Sequence, residues 1–274
     1  MRILIRTSKW AIWARRLGSF AVPMTVIPVL LHRERLLASP IFTTLMAIAA
    51  LLALAAVFVS VVALGRLWRT GDLGWGKAFA GLFLGLLCLA PFGWYGYLAA
   101  TTPAVTDIAT TDRGLMPLVF EPGTASMPPP KLLSIAEIEA NYPNAKTRTY
   151  PLDAQQTYAI VLRMIEARGW DIRMERPPAS AGGAGQINAQ AVTLPGWREE
   201  AVLRVAGTPE GASVDMRSAS LNALYDFGSN GERIEEFMMA LDTEITVLLR
   251  DNPNANRPVE AEPEAAAAPV EGEN

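Results

Sequence analysis

Cysteine and histidine are almost absent from this chain of 274 residues, which has one of each. Cys88 and His32 both lie in the first hundred residues, so residues 101–274 contain neither. The rear part therefore cannot build a Ser-His-Asp triad, a Cys-His pair or a zinc site of cysteine and histidine ligands. A Ser-Lys pair stays open on composition because Lys131 and Lys146 are present, although no spacing couples either lysine to a serine.

Charge is unevenly distributed along the chain. Residues 1–100 carry a net charge of +8, residues 101–250 carry −6 and residues 251–274 carry −5. A basic front and an acidic rear indicate separate parts rather than one globular domain. Because the only basic part is also the most apolar one, the pattern argues against nucleic acid as a partner.

Two long uncharged runs, Leu36–Gly65 and Ala78–Thr106, are typical of membrane-spanning helices. A helical span needs about 20 apolar residues to cross a hydrocarbon core of about 30 Å. We therefore predict spans at about 42–64 and 79–100, with the lipid bilayer as the first partner. Neither predicted span holds a charged residue at its centre, which favours an anchor over a transporter.

A third uncharged run, Leu17–Leu31, has 15 residues and leaves two alternatives open. It is short for a span and contains Pro23 and Pro28, so it fits either an interfacial segment or a span extended by snorkelling arginines. A cleaved signal peptide is disfavoured because charged residues follow at once. We favour a third span at about 17–31, which makes residues 17–100 the membrane region.

The basic residues set the orientation. With three spans, the basic arm 1–16 and the loop 66–77 share one side and carry eight basic residues, against three on the other side. The positive-inside rule then places the arm in the cytoplasm and the C-terminal domain outside it. With two spans, both termini would be cytoplasmic. The three-span arrangement predicts a multi-pass membrane protein whose C-terminal domain lies outside the cytoplasm.

Gly81 and Gly85 form a Gly-x-x-x-Gly spacing in the last predicted span. This spacing lets two helices approach closely, so it predicts helix–helix association either with a second copy or within the chain.

The rear half predicts an extended connector over 101–145, one α+β domain over 146–250 and a disordered acidic tail rich in Pro, Ala and Glu over 251–274. Strands are predicted at about 147–152, 170–175, 186–194, 200–206 and 212–219. Helices are predicted at about 153–169, where Asp153 and Gln156 form a capping-box pattern, and at 230–249. Short turns between the last strands favour an antiparallel sheet with the two helices on one face.

The segment Val214–Ile234 concentrates polar residues at a strand, a turn and a helix start. On the strand, Ser218 and Ser220 share one face and Arg217 the other. The turn offers free backbone N–H groups, which Ser229 or Asn230 can cap. Two interpretations stay open: an anion site served by Arg217 and Arg233, or a structural salt bridge between Arg217 and Asp226.

This segment resembles the signature of the family called domain of unknown function 1499. The residues that match the family pattern are Arg217, Ser218, Ser220, Asp226, Gly228, Asn230, Arg233 and Ile234. Leu221 and Ala223 depart from it, at positions where the family usually has Arg and Gly. Two further stretches resemble the family: Thr106–Asp112, which holds Asp107 and Asp112, and Trp197–Val205, where Glu199 and Glu200 stand in place of an Asp pair.

The resemblance spans about residues 103–245 and implies a bacterial, membrane-anchored member of the family. The family has no established activity, so the resemblance implies no mechanism, cofactor, metal or catalytic residue. Our first hypothesis is a binding or assembly module of the cell envelope, with the polar turn and Asp107 and Asp112 as its site and other envelope proteins as possible partners. The alternative is an envelope enzyme that uses Glu199, Glu200, Asp226 or Asp107 as acid and base or as ligands of a divalent metal.

Overall fold

The structure is a computed structural model, and it describes residues 6–119, 124, 127–253 and 255. The acidic tail predicted to be disordered lies, from residue 256 onward, outside these described residues.

Three long helices open the chain: α1 (Lys9–Arg33), α2 (Ser39–Thr70) and α3 (Trp75–Thr101). All three are long and apolar enough to cross a membrane. The first helix begins eight residues before the predicted span 17–31 and has 25 residues. At about 1.5 Å per residue it is long enough to span without extension by its flanking arginines. Part of the predicted arm 1–16 is therefore helical.

Small residues bring the three helices together. A Cβ atom added at Gly81 would lie 2.5 Å from the backbone of Ala14 in α1. A Cβ atom at Gly85 would lie 2.8 Å from Val57 and 3.2 Å from the carbonyl oxygen of Ala53, both in α2. Both glycines of the Gly-x-x-x-Gly spacing are thus used in packing within the chain, which was one of the two predicted uses.

The ends of the bundle are distinct. Thr7 forms a parallel bridge with Leu73 in the loop between α2 and α3. The start of α1 therefore lies beside that loop, and the turn 34–38 and the end of α3 lie at the opposite end of the bundle.

The C-terminal domain is a six-stranded antiparallel sheet with order β1-β6-β5-β4-β3, in which β2 also pairs with β6. The strands are β1 (Asp107–Ala109), β2 (Arg148–Tyr150), β3 (Asp171–Arg176), β4 (Ala184–Val192), β5 (Arg198–Thr208) and β6 (Gly211–Ser220). Five of them correspond to predicted strands. The sixth, β1, lies in the segment predicted as an extended connector, which also holds a 3-10 turn at Arg113–Leu115 and the helix α4 (Ile135–Asn141).

Two longer helices, α5 (Ala154–Ala167) and α6 (Ser229–Asp251), pack on one face of the sheet and confirm the predicted α+β class. The predicted capping box of α5 forms between Asp153 and Gln156. The largest fully buried side chains on this face are Phe237, Met238, Leu241, Ile234, Ile165, Ile187, Leu203 and Met216. The other face is covered by the segment that follows β1, where Met116 packs with Ala109 and Val202.

The domain is joined to the bundle by polar contacts at one end of the helices. His32 bonds the carbonyl oxygen of Pro195 at 2.8 Å, and Arg33 donates to the carbonyl oxygen of Leu194 at 2.9 Å. On the other side, the Tyr225 hydroxyl donates to the carbonyl oxygen of Thr102 at 2.6 Å. These contacts hold the sheet directly against the end of α1 and α3.

Candidate functional site: a polar network and a cleft at the junction

Asn230 lies at the centre of a buried polar network between β6 and α6. Its side-chain oxygen accepts from the hydroxyl of Ser218 at 2.7 Å, and its side-chain nitrogen donates to the hydroxyl of Ser220 and to the carboxylate of Asp226, both at 3.0 Å. The three side chains that contact it here are buried. The predicted placement of both serines on one face of the strand brings them to this helix.

Glu199 enters the same network from β5. Its carboxylate pairs with Arg233 and also accepts from the hydroxyls of Ser220 and Ser229. Arg233 in turn donates to the hydroxyl of Ser218 at 2.9 Å. Glu199 is buried in this network, with a residue exposure of 1%.

Arg217 points to the opposite face of the sheet and pairs with Asp107. Two hydrogen bonds join them, from Nε to Oδ1 at 3.1 Å and from Nη2 to Oδ2 at 2.7 Å. Arg113 adds a third contact to the same carboxylate at 3.3 Å. The expected pair of Arg217 with Asp226 is therefore replaced by a pair with Asp107, since alternate residues of a strand face opposite sides.

Asp226 acts at the start of α6. It accepts hydrogen bonds from the backbone nitrogens of Gly228 at 3.0 Å and Asn230 at 3.3 Å. The predicted capping by Ser229 or Asn230 is thus corrected, because Ser229 bonds Glu199 and Asn230 lies inside the helix. The anion at this helix terminus is the chain's own carboxylate. Burial raises the pKa of Asp226 to about 6, and the charge of Glu199 adds to the rise, while these hydrogen bonds oppose it.

Two predicted acidic residues lie away from this network. Asp112 accepts from the backbone nitrogen of Gly114 at 3.0 Å and caps the 3-10 turn. Glu200 points to the other face of the sheet from Glu199, where it accepts from the side chain of Asn188 at 2.6 Å and from the backbone nitrogen of Val119 at 2.7 Å. Glu199 and Glu200 therefore cannot act together on one substrate.

A cleft of about 890 Å³, here called the junction cleft, opens where the domain meets the turn between α1 and α2. Its lining combines apolar and aromatic side chains with two arginines. The lining residues used below are Arg35, Leu37, Pro40, Trp197, Arg198, Leu224, Tyr225 and Phe227.

The two arginines of the junction cleft are close enough to affect each other. Arg35 donates to the side-chain oxygen of Gln190 at 2.7 Å, and Arg198 donates to the carbonyl oxygen of Arg33 at 3.2 Å. The pKa of Arg198 is lowered by burial and by the positive charge of Arg35. The Nε atom of Arg198 is buried and has no hydrogen-bond partner among the described residues. Arg198 therefore keeps one hydrogen-bond donor that no described residue satisfies.

Backbone strain is concentrated at the same cleft. Within the described part of the chain, Arg35 (φ 61°) and Phe227 (φ 54°) are the only residues other than glycine with positive φ, and both line the cleft. Such conformations cost of order 1–3 kcal/mol and persist where the surrounding structure enforces them, often at binding sites.

A smaller cavity of about 110 Å³ lies behind the wall formed by Trp197, Tyr225 and Phe227. Its lining includes the carboxylates of Glu199 and Asp226. The polar network thus reaches a cavity through its two acidic members.

The comparison with known proteins identifies a family for the C-terminal domain. Residues 123–241 match the model of the family described as Protein of unknown function (DUF1499). These residues form a DUF1499 domain. Comparisons with curated proteins and with solved structures give no match.

The DUF1499 match includes the polar network and most of the domain, but not Asp107, which pairs with Arg217 from β1. The match does not include the apolar helices α1 to α3. The junction cleft is therefore lined from both sides of the boundary, since Arg198 and Phe227 lie inside the match and Arg35 lies outside it. The sequence patterns did not predict the junction cleft. The available signals were an Arg-Glu-Arg turn directly after an apolar run and the apolar residues of Leu221–Phe227 in a turn.

Proposed function

We propose that this chain is a membrane-anchored binding module of the bacterial cell envelope, and that its junction cleft binds an amphiphile with an acidic head group drawn from the bilayer. The observation that carries the proposal is the buried Nε atom of Arg198, which has no acceptor among the described residues and lies near a second guanidinium, that of Arg35, at the end of the apolar helices. A buried donor without a partner in a cleft favours an acceptor supplied by a ligand.

The location of the cleft supports a ligand from the bilayer. Leu224 is 70% exposed, and Leu37 and Pro40 lie beside it at the start of α2. Guanidinium groups bind phosphate oxygens, and apolar side chains next to them suit an acyl chain. A phospholipid that enters from the outer surface of the membrane would satisfy both halves of the cleft.

The basic residues near the ends of the helices support a periplasmic domain. Seven of the described ones lie at the end of the bundle that holds residues 6–8 and the α2–α3 loop, against Arg33, Arg35 and Arg113 at the end that holds the domain. The positive-inside rule favours the cytoplasm for the end with seven and the periplasm for the domain. Placed there, the domain would meet lipids of the outer leaflet and other envelope proteins.

Binding by the purified full chain tests the proposal. The chain is reconstituted in nanodiscs that contain phosphatidylglycerol, and retained lipid is counted by native mass spectrometry. The variant Arg35→Gln with Arg198→Gln is expected to lose one retained phosphatidylglycerol. The matched control is Arg163→Gln with Arg250→Gln, because both of these arginines are exposed and lie away from the cleft. Equal retention in all three proteins would contradict the proposal.

A second candidate is a carboxylate-dependent enzyme, favoured by one observation. Glu199 and Asp226 line the same small cavity in different environments, since Glu199 is paired with Arg233 while burial raises the pKa of Asp226 to about 6. Two carboxylates held in different environments can divide acid and base roles. Hydrolysis of nitrophenyl phosphate or acetate esters that is lost in Asp226→Asn would support this candidate, and no hydrolysis by the native chain would contradict it.

A further inference from the structure

A second pocket lies at the opposite end of the helical bundle from the junction cleft. It has a volume of about 520 Å³ and opens between α1 and α3. Its lining residues are Ile12, Arg15, Arg16, Ser19, Phe20 and Lys77. We name it the basic pocket.

Three positive charges of the basic pocket have no neutralising partner in the part of the chain that the structure describes. Arg15, Arg16 and Lys77 form no ion pair with a carboxylate of the described residues. The guanidinium of Arg16 lies over the ring of Trp13 at 5.5 Å, which leaves its charge in place. A pocket with three uncompensated cations attracts anions.

Close packing of α1 against α3 fixes the backbone positions from which these cations extend. Gly81 contacts the backbone of Ala14, and a Cβ atom there would lie 2.9 Å from the backbone nitrogen of Arg15. Lys77 is one helical turn before Gly81 on the same face of α3. The close approach of the two helices therefore sets Arg15 beside Lys77 without help from a flexible loop.

The basic pocket lies at the position along the bundle where a membrane surface is expected. Arg16 and Arg33 are separated by 17 residues of α1, which is about 26 Å along a helix. This is close to the thickness of the hydrocarbon core, about 30 Å. Trp13 and Trp75 are exposed at this end, as expected of residues at the edge of a bilayer.

We infer that the basic pocket binds the head group of a phospholipid with two phosphates. One phosphate would leave most of the positive charge unmatched, whereas two phosphates on a short linker can reach cations on both helices. Basic pockets between helices on the cytoplasmic side suit such head groups. Ile12 and Phe20 supply apolar walls along which an acyl chain can lie. The inference rests on the membrane insertion proposed above and does not depend on the junction cleft.

Lipid competition tests the inference on the full chain. Nanodiscs contain equal amounts of phosphatidylglycerol and diphosphatidylglycerol, and lipid retained by the purified protein is counted by native mass spectrometry. We expect preferential retention of diphosphatidylglycerol. The variant Arg15→Gln with Lys77→Gln should lower its affinity about 25-fold, or about fivefold for each cation removed. High salt should weaken the retention in the native chain.

The control removes the same charge at the same end of the bundle. Arg66→Gln with Arg69→Gln, at the end of α2, should change retention by less than about twofold, because these exposed charges lie outside the lining of the basic pocket and are screened by salt. Equal losses in both double variants, or equal retention of the two lipids by the native chain, would overturn the inference. Arg35→Gln with Arg198→Gln should lower the total number of retained lipids but keep the preference for diphosphatidylglycerol over phosphatidylglycerol, which separates this site from the cleft. Extraction of the chain by alkaline carbonate would instead defeat the shared premise of membrane insertion.

Discussion

Arg217 and Asp107 are joined by two hydrogen bonds that fasten β1 to β6 across a buried face of the sheet. Asp107 lies outside the DUF1499 match and Arg217 lies inside it. The folded domain of this chain therefore includes residues that directly follow the last apolar helix. Because only a short segment connects α3 to β1, the domain is expected to lie close to the membrane surface.

The Arg217–Asp107 pair is expected to be structural. Asp107 is 1% exposed, and removal of a partner leaves a buried carboxylate held by Arg113 alone. Arg217→Ala should lower the free energy of unfolding by about 2–4 kcal/mol. Arg163→Ala, which removes an exposed pair with Glu244, should change it by less than about 1 kcal/mol. Chemical unfolding of both variants in detergent, followed by circular dichroism, measures the difference. Equal effects would contradict a structural role for the pair.

Gly231 is required by the ring of Tyr142. A Cβ atom at Gly231 would overlap three ring atoms of Tyr142, with the nearest at 2.3 Å. Gly231→Ala should therefore destabilise the domain by about 1–3 kcal/mol, as overpacking of a filled core does. Gly182→Ala is the matched control because nothing lies within 4 Å of the added atom. The midpoint of thermal unfolding is the measurement, and a stable Gly231→Ala variant would show that the tyrosine can move away.

Asp226 predicts a pH dependence of stability. Its pKa in the folded domain, about 6, is above the ordinary value of 3.8. The folded state therefore binds the proton more tightly than the unfolded state, and this contribution to stability is lost as pH rises from about 4 through 6. It amounts to about 2–3 kcal/mol. Unfolding curves at pH 4, 5, 6 and 7 should show this loss in the native chain and less of it in Asp226→Asn. If the free energy of unfolding changes with pH as steeply in Asp226→Asn as in the native chain, another group causes the effect. Asp171→Asn, which changes an exposed carboxylate, serves as the control.

Packing of the bundle depends on the glycine at position 81, where two helices touch, and not on every glycine of α3. Gly81→Ala forces α1 and α3 apart, since the added atom would lie 2.5 Å from the backbone of Ala14. Gly93→Ala lies in the same helix and meets nothing within 4 Å. We expect a lower melting temperature for Gly81→Ala and an unchanged one for Gly93→Ala in the same detergent. Equal melting temperatures would mean that the bundle tolerates a wider spacing.

Local patterns were sufficient for most of the fold. The spacing of apolar residues predicted α5 and α6, and Asp153 with Gln156 predicted a helix start that the structure confirms. The strand β1 was missed because its three residues acquire their partner from β6, more than 100 positions away. The partner of Arg217 was predicted wrongly for the same reason. The alternation along β6 placed Arg217 on the opposite face of the strand from the serines, but only the tertiary fold shows that Asp107 faces it.

The junction cleft was beyond sequence reasoning because its two arginines come from different parts of the chain. Arg35 was interpreted as a residue that sets membrane orientation, and Arg198 received no role. They are brought together because Arg198 of β5 donates to the carbonyl oxygen of Arg33 at the end of α1, while Arg35 donates to Gln190 of β4. Burial of Glu199 was equally hidden, since its partner Arg233 lies on α6, across the network.

Photo-crosslinking from the junction cleft tests the central claim most directly. A photoreactive amino acid replaces Leu224, which is exposed and lines the cleft, and the full chain is irradiated in membranes that contain phosphatidylglycerol. The control places it at Val247, an exposed position about 27 Å along α6 from Ser229. We predict a phospholipid adduct at position 224 that is lost when Arg198→Gln is added, and none at position 247. No lipid adduct at position 224, or one that persists in Arg198→Gln, would contradict the account.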